Sequence, residues 1–241
     1  MKLPITAVLS ALAALAVAAA PVPKEKEEPL GPPTAEQLQE SKDNLKLIGI
    51  ALHGYNDATG GFPDNVADKD GKPLLSWRVR LLPYLEEAAL YEQFKLDEPW
   101  DSKHNKALVE KIPKIYAPIR VKAKVGETFY QGFAGADTTF EPGAKLAIPR
   151  SFPDGTSNTV AVVEAGTACV WTKPDDLPYD AKKPLPKLGG LFDGDFHVLL
   201  VDGSVHVGHG KKMDADAFRK IVTRSDGMVC DADKALGHEK K

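Results

Sequence analysis

Cysteine is nearly absent from this chain of 241 residues, with only Cys169 and Cys230 present. At most one disulfide is possible, open to formation if the chain is exported; two buried free thiols are the other reading, since both lie in short apolar segments. A charge excess of one sign is also missing. Thirty-one basic and 34 acidic residues leave a net charge of −3, too mild to mark nucleic acid or a membrane surface as the partner. Neither Ser157 nor Ser204 lies in a Gly-x-Ser-x-Gly elbow, so nothing marks a serine nucleophile. Glu164 and Asp154 could be imagined as a hydrolytic pair, but Asp154-Gly155 reads as a turn and nothing fixes their separation. The hydrophobic share, 43%, and the length suit one sizeable core rather than two.

The one long apolar run is Leu3 to Ala20. With Lys2 before it and small residues at Ala16, Ala18 and Ala20, it forms a secretory leader, cut after Ala18 or Ala19 because Pro21 makes Ala20 a poor site. An uncleaved anchor is the alternative, since the run approaches the roughly 20 residues that span a bilayer. The expected location is therefore periplasmic or secreted, with no membrane contact once the leader is removed. Residues 21–33, PVPKEKEEPLGPP, hold too little apolar area to fold and read as a tether.

The chain is organised around the next stretch. Leu38, Leu45, Ile48, Leu52 and Tyr55 recur at three-and-four spacing, which predicts one amphipathic helix from about Thr34 to Thr59. Thr34 and Gln37 fit a capping box, Gly60 a left-handed cap, and Phe62 can fold back on the last turn before Pro63. SWRVRLLPYLEEAALYEQF reads as two short helices joined at Pro83, and SKHNKALVEKI as a third. Beyond Glu127 the period changes to strands in TFYQGFA, KLAIP, SNTVAVVEAG and ACVWT, and MDADAFRKIVTRSDGMVC reads as a short helix capped near Asp214 followed by a terminal strand. The proline-rich run Lys173 to Gly190 reads as a loop draped over the core. FHVLLVDGSVHV predicts a hairpin with Asp202-Gly203 as a two-residue turn, setting Leu199 opposite His206 and His197 opposite Gly208. The fold class expected is α+β, a helix packed on an antiparallel sheet with short accessory helices. It fills one domain over residues 34–230, followed by a frayed tail over 231–241.

KDNLKLIGIALHGYNDATGGFP, SWRVRLLPYLEEAALYEQF, PDGTSNTVAVVEA, WTKPDDLPYD and VLLVDGSV, in that order, resemble the bacterial domain-of-unknown-function family 1559 over about Ser41 to Thr223. The resemblance implies a pilin-like fold related to type II secretion pseudopilins, whose helix end is matched by Tyr55, Asp57, Gly60, Phe62 and Pro63. Two departures bear on function. An ordinary leader and charged tether replace the prepilin segment that builds filament cores, so assembly into a filament is not expected. The family's His-nine residues-Asp-Gly signature finds Phe192 where its His would stand, leaving Asp202 and Gly203 as a turn alone.

Three functions follow as expectations. The first is an exported, non-catalytic structural or interaction module whose partner is an extracytoplasmic protein or cell-envelope polymer, met at the sheet edge or the proline-rich loop. The second binds a glycan or peptide, with Trp77, Trp171 and Tyr179 as stacking faces, although apolar neighbours suit them to a core. The third is a metal-dependent hydrolase. It places zinc at His197 and His206, on one face of the hairpin about 7–8 Å apart, with exposed strand histidines as the plainer reading; apart from that reaction, Asp193 and Asp195 with nearby carbonyls are a candidate calcium site.

Overall fold

The computed structural model describes residues 31–121, 123–228 and 230–238. The expected leader, and the expected tether up to residue 30, lie outside the described residues. Helix α1 runs Ala35–Thr59, as its local signals predict. The Thr34 hydroxyl accepts from the Gln37 N–H while the Gln37 side chain accepts from the Thr34 N–H, which satisfies two open donors of the first turn. At the other end Gly60 adopts φ +72° and donates its N–H to the Asn56 carbonyl. The buried stripe is Ser41, Leu45, Ile48 and Leu52, joined by Gly49, Ala51 and Asn56, whereas Leu38 stays exposed. Phe62 does not return to the helix. It packs on Phe140 and Phe152, held by its N–H bond to the Leu146 carbonyl.

Two short strands, β1 (Val66–Ala67) and β2 (Pro73–Leu75), pair antiparallel and lead into α2 (Trp77–Arg80). Ser76 caps α2, and Pro83 starts a 3₁₀ turn over Leu82–Leu85 before α3 (Ala88–Tyr91). The expected third helix is a 3₁₀ helix, Asn105–Lys111.

The main sheet among the described residues holds β3 (Glu127–Gln131), β5 (Val160–Val170), β7 (Asp195–Leu200) and β8 (Val205–His209), antiparallel in that order. Two strands were expected over 157–172, but β5 is continuous. Gly166 does not break it; a side chain there would collide with Lys187, whose carbonyl accepts the Gly166 N–H. The proline-rich loop lies over the core as predicted, and its β6 (Leu177–Pro178) pairs in parallel with β4 (Phe133–Ala134). KLAIP forms no strand, its backbone being used instead by Phe62 and Asn56.

The sheet is covered on both faces. Leu45, Ile48 and Leu52 of α1 share a cluster with Val162, Leu199 and Val201. On the opposite side α4 (Ala215–Val222) sets Phe218, Ile221 and Val222 with Val163, Phe196, Val198 and Leu200. Burial on both faces explains why FHVLLV reads as an unbroken apolar run. Within the tail expected to fray, α5 (Ala232–Ala235) tucks Ala235 and Leu236 into that second cluster, while Val229 of the expected terminal strand and residues 239–241 lie outside the described residues. The fold is α+β. Among the described residues no helix is long and apolar enough to cross a membrane.

The hairpin register differs from the expected one by a single residue. Leu200 donates its N–H to Ser204, which leaves Val201, Asp202 and Gly203 as a three-residue loop with Gly203 at φ +88°. Val201 and Asp202 give their N–H groups to Thr159 and Thr156, so neither joins the ladder. His206 therefore lies opposite Val198 and His197 opposite Val207, and a one-residue slip sends the two imidazoles to opposite faces.

Candidate functional site

Under the first half of α1 lies a closed polar cluster. Ser41 descends from the helix, Tyr130 comes from β3, Glu164 from β5 and His197 from β7, all sealed from solvent. The Ser41 hydroxyl donates to Glu164 Oε1. Glu164 Oε2 accepts the His197 backbone N–H at 2.6 Å, with His197 Nδ1 3.2 Å away. Tyr130 donates its hydroxyl to Ser41 Oγ at 3.4 Å. Burial, followed by the Glu164 charge, pushes the Tyr130 phenol above its ordinary range, so it remains a proton donor. Since the single Ser41 proton goes to Glu164, the Nδ1 contact is satisfied by an N–H on the imidazole. A Ser-His-Glu set invites comparison with a hydrolytic triad, but a triad needs Ser and acid on different ring nitrogens, and here both meet Nδ1. The cluster fastens α1 to the sheet.

A second buried cluster joins three distant segments. Arg78 directs Nη2 to Asp176 Oδ1 at 2.8 Å, Nε to the Tyr130 carbonyl at 2.8 Å and Nη1 to Ser76 Oγ at 2.7 Å. Asp176 also accepts from the Trp77 indole at 3.1 Å and from the Gly132 N–H at 3.0 Å. Burial opposes the Arg78 charge most strongly, yet Asp176 together with Cys169 and Tyr116 holds the guanidinium above its ordinary value. The aspartate of WTKPDD thus locks the proline-rich loop onto SWRVR.

The stacking reading is corrected by burial. Trp77 and Trp171 are fully enclosed and Tyr179 is buried. Trp171 stacks on Tyr116, meets Phe94 edge-on and donates its indole N–H to the Val109 carbonyl, while Tyr179 packs on Phe133. None offers a face to a ligand.

The metal reading is corrected by placement. His197 is enclosed with Glu164, and His206 Nδ1 meets Asp233 at 3.0 Å on the other face. Asp193 pairs with Arg120, and Asp195 with His209. Among the described residues no group of three or more His, Cys, Asp or Glu side chains is placed to hold a metal ion. Asp154 is buried and accepts instead from the Gly227 N–H, 73 residues along the chain.

Ser204, His206 and Asp233 do show triad-like contacts, with Ser204 Oγ 3.1 Å from His206 Nε2 and Asp233 on Nδ1. Asp202 Oδ1, however, accepts the Ser204 hydroxyl at 2.6 Å and the Ser204 N–H at 2.8 Å. The serine proton and the adjacent amide are thereby committed to the turn, and neither general-base activation nor an oxyanion site follows.

Both cysteines are free. Burial pushes the Cys169 thiol up to about 11. Its folded value lies above the ordinary unfolded value of about 8.5, so this group's contribution to stability is complete below about pH 8.5 and is lost as pH rises toward 11. We predict that a thiol reagent at pH 8 modifies Cys230 in the native chain and Cys169 only after unfolding in urea. Two thiols titrating at equal rates under native conditions would contradict this burial.

The outward face of α1 is the accessible feature. Leu47 and Ile50 are 50% and 66% exposed, large values for apolar side chains. Beside them runs a groove of about 640 Å³, lined by Lys46, Gly49, Ile50, His53, Gly54 and Asp57 of α1 and by Asp202 and Gly203 of the hairpin loop. His53 closes one wall, its Nε2–H donating to the Val201 carbonyl at 2.8 Å. At the end of α1, Asp57 borders this groove, while Tyr55 packs edge-on against Tyr84.

No curated protein and no solved structure matches the chain. Residues 39–148 match the family model described as protein of unknown function (DUF1559), a span from the first turns of α1 through β4 to the segment that meets the helix end. Over that span the chain is similar to domain-of-unknown-function family 1559.

Proposed function

We propose that the chain is an exported, non-catalytic interaction module of pseudopilin-like build, whose partner is a protein met outside the cytoplasm through the outer face of α1. The observation that carries this reading is the exposed pair Leu47 and Ile50 beside a groove, on a helix whose inner face is fixed by Leu45, Ile48, Leu52 and the Ser41–Glu164 contact. Apolar side chains held outward on a rigid element have their water contact to lose on binding. The Thr34 cap and the polar first turns support leaving filament assembly out, because α1 does not continue into an apolar half-helix. The sheet edge is a weaker docking place than the sequence suggests: β8 already gives its His209 N–H to Leu236 and takes a bond from His238 at the Val207 carbonyl.

The test places a photoreactive residue at position 47 of the full chain, expressed in its native host, and measures intact mass in the extracytoplasmic fraction. A chain shortened by its leader and carrying a defined protein adduct is the expected result. Retention in the cytoplasm, or an absence of protein adducts at position 47, would overturn the proposal.

A further inference from the structure

Resting on that reading, we propose that the partner at the outer face of α1 is a second copy of this chain, docked antiparallel through the Lys46–Asp57 segment. Lys46 and Asp57 are opposite charges eleven residues apart, about three helical turns or 16 Å. They therefore stand on one side of the helix, at the two ends of the groove. A two-fold axis crossing α1 midway between them sets Lys46 of each copy against Asp57 of the other. The same register places Ile50 opposite His53 and Gly49 opposite Gly54. A parallel arrangement would oppose lysine to lysine and aspartate to aspartate, so charge alone selects the antiparallel one.

Shape agrees with charge. Ile50 projects from the helix, and the groove beside it is bordered by Gly203, where a side chain would meet open space, while Gly49 and Gly54, whose absent side chains would face Leu199 and Tyr84, bring bare backbone to its edge. Under the two-fold operation the Ile50 of each copy enters the groove of the other, with Leu47 one turn away adding apolar cover. Asp43, the present neighbour of Lys46 at 3.9 Å, is half-exposed and does not hold the ammonium in place.

Sedimentation of the full chain across concentration tests the assignment. A reversible dimer is expected, with Ile50→Glu weakening association by about 100-fold or more because a carboxylate would be placed in the groove. Lys46→Asp alone, or Asp57→Lys alone, is expected to weaken it about tenfold, and the double exchange to restore it, since the pairing across the axis is then reversed but complementary. All three positions are at the surface, so loss of fold does not confuse the result. A chain monomeric up to about 1 mM, or a dimer indifferent to Ile50→Glu, or a double exchange no better than the singles, would overturn the antiparallel dimer. If position 47 then still crosslinks a different protein while the chain sediments as a monomer, this inference fails and the interaction reading stands.

Discussion

Asp176→Ala is expected to lower the free energy of unfolding by about 3–5 kcal/mol, the cost typical of removing one partner from a buried ion pair. The pair is desolvated on both sides, with Arg78 and Asp176 side chains 0% and 1% exposed. The alanine variant would strand the guanidinium, the Trp77 indole N–H and the Gly132 N–H at once, since all three give to this carboxylate. Against a total stability of about 5–15 kcal/mol for a typical domain, such a loss brings the chain near its threshold. Arg78→Lys should fare little better: the guanidinium reaches Tyr130, Ser76 and Asp176 in three directions, and one ammonium cannot. Replacing both partners together, as Arg78→Met with Asp176→Leu, should recover the part of the loss that belongs to the unpaired charge, while the Trp77 and Gly132 N–H groups stay without their acceptor. Urea unfolding followed by fluorescence and circular dichroism measures all three variants. A loss under about 1 kcal/mol for Asp176→Ala, the range of an exposed pair, would show that water reaches the site.

What could be read from the sequence was decided within a few residues. Helix α1 begins and ends where Thr34, Gln37 and Gly60 place it because capping is local chemistry. The hairpin was visible, but its register was not: the loop gained a residue when Val201 and Asp202 gave their N–H groups to Thr159 and Thr156, about 40 residues upstream. Gly166 looked like a break because a glycine's use for close approach depends on what arrives, here Lys187. The tryptophans could be read as apolar anchors, yet Trp77 finds its polar partner 99 residues away in Asp176. The cluster of Ser41, Glu164 and His197 spans separations of 123 and 156 residues, so no spacing rule connects them. One signal did exist. Ser41 sits on the stripe that continues through Leu45, Ile48 and Leu52, and Glu164 interrupts the apolar run VAVVEAG; a polar group at a position the pattern buries must find a partner. The exposed pair Leu47 and Ile50 was hidden for the opposite reason, since LKLIGIAL is apolar around much of the helix and periodicity alone cannot say which side faces water.

His197→Leu is expected to cost about 3–5 kcal/mol, and its local consequence links the buried cluster to the proposed docking face. Glu164 holds its charge inside the core through three donors: the Ser41 hydroxyl, the His197 backbone N–H and the imidazole Nδ1–H. Leucine keeps the volume and the backbone donor but removes the third, leaving a buried carboxylate short of compensation. His197→Asn provides the control, because its amide nitrogen can stand where Nδ1 stood, and it should retain most of the stability that leucine loses. Since Ser41 reaches the same carboxylate from the second turn of α1, the loss should appear first as faster amide hydrogen exchange near Ser41 and Leu45, while α4, on the far side of the sheet, remains protected. Uniform acceleration across the chain would mean that the cluster adds to global stability without fastening the helix. Equal losses in the leucine and asparagine variants would mean that packing, rather than the Nδ1–H contact, gives His197 its role. Selective loosening of α1 would instead tie the rigidity of Leu47 and Ile50 on its outer face to a hydrogen bond on its inner one.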